Sequence, residues 1–467
     1  MRRTIAVVLM LVAGLASWAQ DDPVKVLTER EFLTLVSQFH PTARRAQLAL
    51  DRGDQTLRRA RGGFDPYLQG QYDRKRFDDK TYWDLAEGDF VIPGWFGTEV
   101  KAGYEYADGE FINPENNLPG PGLLSAGLKV PLGQGLFINE RMAALQQARL
   151  FLEASESERL TLLNDLFFDA LTAYWMWAEA EAVRATYESV LVLAQERFEA
   201  TRTSYEQGDK PAIDTTESLL QVQQFTLERD AAVLNAQKMR LMVSNYLWTP
   251  QEEPLVLSEN VVPESLMDTV PRAVPIDTLL RFLAQIDETH PALAILDLEI
   301  ASMEVERRLK IEKIKPKLTV EAGLLMQPRE AVEGLNNYKV GVGFAMPLTA
   351  RTARSDLQLQ RIKIRETELK RDEKALELEN KVRSSFIELQ NLRTQIDQVR
   401  SLVQNYDRLA RAERVLFSIG ESSVFLVNSR DVKLLEARLK EFALRSKYRR
   451  SNAAFRWAAG VLGADED

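Results

Sequence analysis

A chain of 467 residues with no cysteine, 28% charged residues and a formal net charge of −9 excludes disulfides, thiolate metal sites, a cysteine nucleophile and a cysteine-borne lipid. Charges of both signs without a basic face argue against a nucleic-acid partner. With two histidines, no nucleophile motif and no glycine-rich phosphate loop, neither an enzyme nor a cofactor or metal site is expected.

The chain opens with Arg2 and Arg3, an apolar run from Ile5 to Leu15, and small residues at Ser17 and Ala19. This is the pattern of a secretory signal peptide over 1–19. No later segment is apolar enough to span a bilayer as a helix, so the exported product either dissolves or enters a membrane as a β-barrel.

Leu27 to Phe39 reads as a short amphipathic helix followed by His40-Pro41, and Ile276 to Thr289 reads the same way before His290-Pro291. A polar residue before a proline marks a helix start, so both histidines are expected as N-caps. The interval from His40 to His290 also separates Pro66 from Pro316, where each following helix must stop. The first copy, with Gly53 and Gly62-Gly63, should be the weaker helix.

Past Pro316 the period changes to strict alternation. Leu318, Val320, Ala322, Leu324 and Met326 share one face of a strand, and Tyr338, Val340, Val342, Phe344 and Met346 share one face of the next. Segments of this length cross a bilayer as tilted strands with the apolar face to lipid and small or polar residues toward a lumen. The first half answers with Thr98 to Tyr106 and Leu124 to Val130, and a weaker strand near Tyr67. Four strands per chain are expected. The interval from Pro66 to Pro131 is longer than its counterpart from Pro316 to Pro347, and the excess, rich in Asp, Asn, Gly, Pro and Trp, reads as an enlarged surface loop.

Two runs, Leu136 to Gln207 and Leu348 to Ile419, contain neither glycine nor proline, and each ends in a glycine, Gly208 or Gly420. Such runs predict helices on the order of 100 Å long. After each glycine a further breaker-free helix, 212–249 or 421–459, returns antiparallel. The chain therefore divides into a first repeat over 20–250, a linker over 251–275, a second repeat over 276–460 and a tail over 461–467. The fold class is mainly α, with long antiparallel coiled-coil hairpins and a β-barrel portion. Four strands cannot close a barrel, and open edges are not tolerated in lipid, so several chains must share one.

In this order, His40-Pro41 and His290-Pro291, Val130-Pro131-Leu132 and Met346-Pro347-Leu348 closing each strand pair, and the turns at Gly208 and Gly420, the chain resembles the outer membrane efflux protein family, the TolC-like exit ducts of Gram-negative bacteria. The family usually has Asn-Pro where this chain has His-Pro. The resemblance implies a homotrimer with a twelve-stranded barrel in the outer membrane and a helical tunnel across the periplasm. It also implies passive conduction from an inner-membrane pump and a periplasmic adaptor (membrane fusion protein).

The family's turn pattern, an aromatic residue, then glycine, then a small polar residue and an acid, falls on Tyr205, Gly208 and Asp214 in the first repeat. In the second it falls on Phe417, Gly420 and Ser422, but Leu426 stands where the acid belongs. The resemblance makes these residues the periplasmic gate. It makes Gly208, Asp209, Lys210 and Pro211, with Gly420, Glu421, Ser422 and Ser423, the adaptor contacts. The rival without the resemblance is a soluble periplasmic coiled-coil adaptor or structural rod, which leaves the duplicated lipid-length strands without a purpose.

Overall fold

The computed structural model describes residues 24–114, 117–120, 122–268, 272–328 and 336–463. The signal peptide expected at 1–19 and most of the expected tail lie outside the described residues. In chain order come β1 (Lys25–Leu27), α1 (Glu29–Phe39), α2 (Pro41–Arg61), β2 (Tyr67–Phe77), β3 (Lys80–Pro93), β4 (Glu99–Asp108), β5 (Leu123–Pro131), α3 (Glu140–Glu206) and α4 (Ala212–Ser244). There follow β6 (Val261–Pro263), α5 (Ile276–Thr289), α6 (Pro291–Glu312), β7 (Lys317–Met326), β8 (Tyr338–Ala345), α7 (Arg351–Ser418) and α8 (Val424–Ala458). The chain divides into two compact units, one of residues 49–157 and 293–373 and one of the remainder.

The first unit holds a six-stranded sheet, ordered β2-β3-β4-β5-β7-β8 and antiparallel throughout. Two strands more than expected are present. The stretch after Pro66, expected as one weak strand near Tyr67 and an enlarged loop, folds into a hairpin whose two turn residues, Asp78 and Asp79, both have positive φ, 52° and 56°. That is the geometry of a type I′ turn, which matches the twist of paired strands and which Asp tolerates. The helices of this unit pack below the sheet through Leu57, Leu145 and Ala148 and through Ile138, Ala143, Val305 and Leu309. Gly53 does not break α2. A Cβ there would lie 2.7 Å from Ser155 Oγ and 2.9 Å from Leu152 Cδ1, so the glycine lets α2 approach α3 closely.

The second unit is built on the middle of α3. Phe167, Leu171, Tyr174, Trp175 and Trp177 of that helix form its core with Phe32, Val36 and Val243. Tyr174 donates to Leu27 O at 2.7 Å and accepts from Glu264 N at 3.1 Å. Its hydroxyl thereby fixes the two-stranded parallel pair of β1 and β6. The segment expected as a linker is thus partly a strand laid along the amino-terminal one. Burial pushes the Tyr174 phenol well above its usual range.

Candidate functional site

The two helical hairpins end in turns of one design. Helix α3, 67 residues long, closes with Gly208 N donating to Tyr205 O at 2.9 Å and Asp209 N to Ser204 O at 2.9 Å. Helix α7, 68 residues long, closes with Gly420 N to Phe417 O at 3.2 Å and Glu421 N to Leu416 O at 2.9 Å. Both are Schellman motifs, which need a left-handed residue just past the helix. Gly208 and Gly420 supply it, with φ of 81° and 86°. Two breaker-free runs followed by one glycine each are what make the helices stop here and nowhere earlier.

The structure brings the two predicted turns together. The ammonium of Lys210 sits 4.6 Å above the centre of the Phe417 ring, so a turn residue of the first repeat rests on the aromatic of the second. Asp214 lies in the first turn of α4, where a carboxylate favours the helix dipole. Partial burial, with the Asp214 charge added to it, pushes up the carboxyl of Glu217 one turn on.

In the second repeat Leu426 leaves no acid at the matching place. Its turn instead carries Ser423 as an N-cap, accepting from Leu426 N at 3.3 Å, and Ser422, whose hydroxyl donates to Glu413 at 2.6 Å. Glu413 is buried and is also met by Arg430 at 3.4 Å. Next to it, Asp431 of α8 accepts from Arg197 of α3 and from Arg414 of α7 at 2.6 Å, while Arg197 also donates to Asn428 at 2.7 Å. These carboxylates join three helices just behind the turns.

Sequence reasoning missed Glu413, Asp431 and Arg197. Glu413, Phe417 and Gly420 stand at i, i+4 and i+7, hence on one helix face, and that spacing was the available signal. Nothing in the sequence marks Asp431 or Arg197, because their partners lie on other helices.

Both His-Pro pairs sit as expected. His40 Nδ1 accepts from Thr42 N at 3.1 Å, and His290 Nδ1 accepts from Ala292 N at 3.2 Å. His290 is buried against Gly460. Burial and the nearby Lys374 charge lower its pKa to about 4. No group of three or more metal-ligating side chains occurs among the described residues.

The sheet belongs to the other unit and has a feature of its own. Register aligns Val100 with Leu128, Leu128 with Ala322 and Ala322 with Val340 on one face. On that face Val100, Leu128, Val340, Val342 and Phe344 are all solvent-exposed in the single chain. The opposite face carries Glu99, Lys101, Lys129, Glu321 and Lys339, with Lys129 and Glu321 paired at 3.1 Å. An apolar face open to the surroundings and a charged face behind it invert the usual arrangement of a soluble sheet. No helix among the described residues is long and apolar enough to cross a membrane.

Residues 283–461 match the model of the family described as outer membrane efflux protein, which is a family of channels and not of enzymes. No curated protein matches. Among solved structures the chain is similar to the outer-membrane channel OprN, at 12% identity over 92% of this chain and 89% of that one, with a TM-score of 0.68. It is similar to the CmeC outer membrane channel of Campylobacter jejuni, at 11% identity over 98% and 93%, with a TM-score of 0.67. It is also similar to the outer membrane protein VceC of Vibrio cholerae, at 13% identity over 92% and 96%, with a TM-score of 0.65. At such identities the likeness is one of fold, and it extends over 92–98% of the chain.

Proposed function

From a chain whose second half carries the outer membrane efflux protein signature and whose length carries the fold of outer-membrane channels, we propose that it is one subunit of a homotrimeric exit duct. Its sheets pool into a barrel through the outer membrane, and its helices form a tunnel in the periplasm. A periplasmic adaptor and an inner-membrane pump deliver substrate, and conduction is passive.

One observation carries this reading: the sheet exposes an apolar face, and among the described residues its outer strands, β2 and β8, have no partner on one side. An open edge in hydrocarbon strands backbone groups at several kcal/mol each, so such a sheet enters lipid only by pairing its edges with other copies. In this reading the turns at Gly208 and Gly420 form the periplasmic mouth and meet the adaptor at Asp209, Lys210, Pro211, Glu421, Ser422 and Ser423. Tyr205, Asp214, Phe417 and Ser422 line the gate. Acidic groups ringed at a narrow mouth attract cations, and with Leu426 in place of the second acid this mouth carries one ring fewer.

Fractionation tests the reading. A heat-modifiable oligomer in the outer membrane is the expected result, and a urea-soluble periplasmic monomer would overturn it. Arginine at Val342, on the apolar face, should block assembly at ~2–4 kcal/mol if that face meets the bilayer midplane. On the polar face Gly341 is a better position for arginine than Gly343. A Cβ at Gly341 meets nothing within 4 Å, whereas one at Gly343 lies 2.8 Å from Thr319 Oγ1. Gly341→Arg should assemble and alter single-channel conductance.

A further inference from the structure

We infer that the hairpin of β2 and β3 is part of the barrel wall, so that each chain contributes six staves and a closed ring of three copies has eighteen. The inference rests on the channel reading above and goes beyond it, because the resemblance by itself implies four staves per chain and a ring of twelve.

The first support is register. Leu68 of β2 pairs with Phe90 of β3, Phe90 with Ala102, Ala102 with Ala126, Ala126 with Leu324 and Leu324 with Tyr338. One apolar row thus crosses all six strands. The neighbouring row runs from Ile92 through Val100 and Leu128 to Val340 by the same pairings. Leu68, Phe90 and Ile92 are exposed, Leu68 at 80%. A hairpin standing in water above the membrane has no reason to continue the lipid face in register, since the side-chain period of two fixes every residue's face at once.

The second support is the opposite face. Gln69 donates to Asp89 at 2.9 Å, and Asp89 is aligned with Gly103 on the side that carries Lys101, Lys129 and Glu321. Level with the apolar rows, the added strands thus place Gln69, Gln71, Glu87 and Asp89 on the face that carries the polar groups of the other four.

The third is how the hairpin is tied in. The turn between β3 and β4 lies at the helical end of the sheet. There the Trp95 ring packs on Phe64 at 4.8 Å, and Trp95 O accepts from Asn139 of the segment leading into α3 at 2.8 Å. Trp95, Phe96 and Phe137 are exposed at this end, and Phe77 and Phe111 are exposed beside the far loops. Aromatic residues at both rims of an apolar band are what the two interfaces of a bilayer select, and three of these five come from the added hairpin or its turn. Past the band, Arg74 pairs with Asp84 at 3.7 Å in line with Asp108, where the strands leave hydrocarbon.

Barrel diameter grows roughly in proportion to strand number, so eighteen staves give a bore about half as wide again as twelve. The absence of cysteine makes the test direct. Leu68→Cys, Phe90→Cys, Asp89→Cys and Val342→Cys, each in the otherwise unchanged chain, are labelled with a fluorophore in the assembled oligomer and reconstituted in vesicles. Quenching is read with brominated acyl chains and with aqueous iodide.

Labels at Leu68 and Phe90 should be quenched by the brominated lipid to within about twofold of Val342, and the label at Asp89 chiefly by iodide. Iodide quenching of Leu68 and Phe90 with lipid quenching kept at Val342 overturns the eighteen-stave wall and leaves the channel intact. Iodide quenching at Val342 as well overturns the channel reading itself. As a second measurement, a short bis-maleimide on Tyr72→Cys/Tyr338→Cys should link neighbouring copies into covalent trimers, because only then do β2 and β8 of adjacent chains meet. Monomers alone overturn the inference.

Discussion

The two repeats share a plan and differ in where they place charge at their turns. The first keeps Asp214 beyond the glycine, in the first turn of a helix whose N-cap, Pro211, makes no side-chain hydrogen bond. The second has Leu426 there, a capping Ser423, and its carboxylates, Glu413 and Asp431, drawn back into the seam between helices. Thr201 and Leu219 occupy the matching positions of the first repeat. A duplicated hairpin thus has one turn with a half-buried acid in the opening of its return helix and one whose acids pair with basic residues between the helices.

Exchanging the seam residue for its counterpart should break the contrast most severely. Asp431 has 15% of its side chain exposed and neutralises both Arg197 and Arg414. Asp431→Leu removes the carboxylate from the largely buried Arg197 and from the more exposed Arg414, at a cost of about 3 kcal/mol. The expected result is a marked drop in the melting temperature followed by circular dichroism in detergent, and protease sensitivity near the turns. Leu219→Asp, at the exposed counterpart, should change neither by more than ~0.5 kcal/mol.

The histidines contrast in the same way, one half-exposed and one buried. His290 titrates near 4 when folded and near 6.5 when unfolded. The unfolded chain therefore binds the proton first as pH falls, and stability declines between about 6.5 and 4, by up to ~3 kcal/mol at one pKa unit per 1.36 kcal/mol. His290→Asn keeps an acceptor at the N-cap and should flatten that part of the pH–stability curve. His40→Asn should alter it less, since burial lowers that pKa from a half-exposed site.

Substituting the two turn glycines probes what the repeats share. Neither Gly208 nor Gly420 has an atom within 4 Å of an added Cβ, so Gly208→Val and Gly420→Val cost only the left-handed backbone, about 1–2 kcal/mol each. Membrane insertion should survive both, and efflux measured with the partner pump should fall in both. Unchanged efflux in the pair would remove the turns from the docking surface.

How far these features could be read from residues alone follows from their range. Helices that run until a glycine, Schellman turns and His-Pro caps are settled within a few residues, and they stand where the sequence placed them. Of the hairpin of β2 and β3 only a weak strand near Tyr67 showed itself, because Asp73, Arg74, Lys75 and Arg76 interrupt the apolar alternation. Its turn is also Asp-Asp and not the usual Asn-Gly. Its membership in the sheet becomes visible only when Leu68 is found opposite Phe90. The same holds for Asp431, whose two partners come from helices remote in sequence.

The smallest expected effect is also the one that most sharply separates the turns. Ser423 caps α8 through its hydroxyl, and Ser423→Ala removes that acceptor, which costs about 1 kcal/mol in a typical helix. The first repeat has Pro211 at the same place. A proline supplies no side-chain acceptor, but its fixed φ suits an extended cap residue. Pro211→Ser therefore gains a hydrogen bond and loses backbone restriction, and the two should nearly cancel, leaving a net change within ~0.5 kcal/mol. If amide exchange at the start of α4 slows markedly in Pro211→Ser, the first turn is looser than the second for want of a cap alone. If it does not, the difference resides in the buried carboxylates, and Glu413→Thr, which installs the first repeat's residue, should loosen the second turn to match the first.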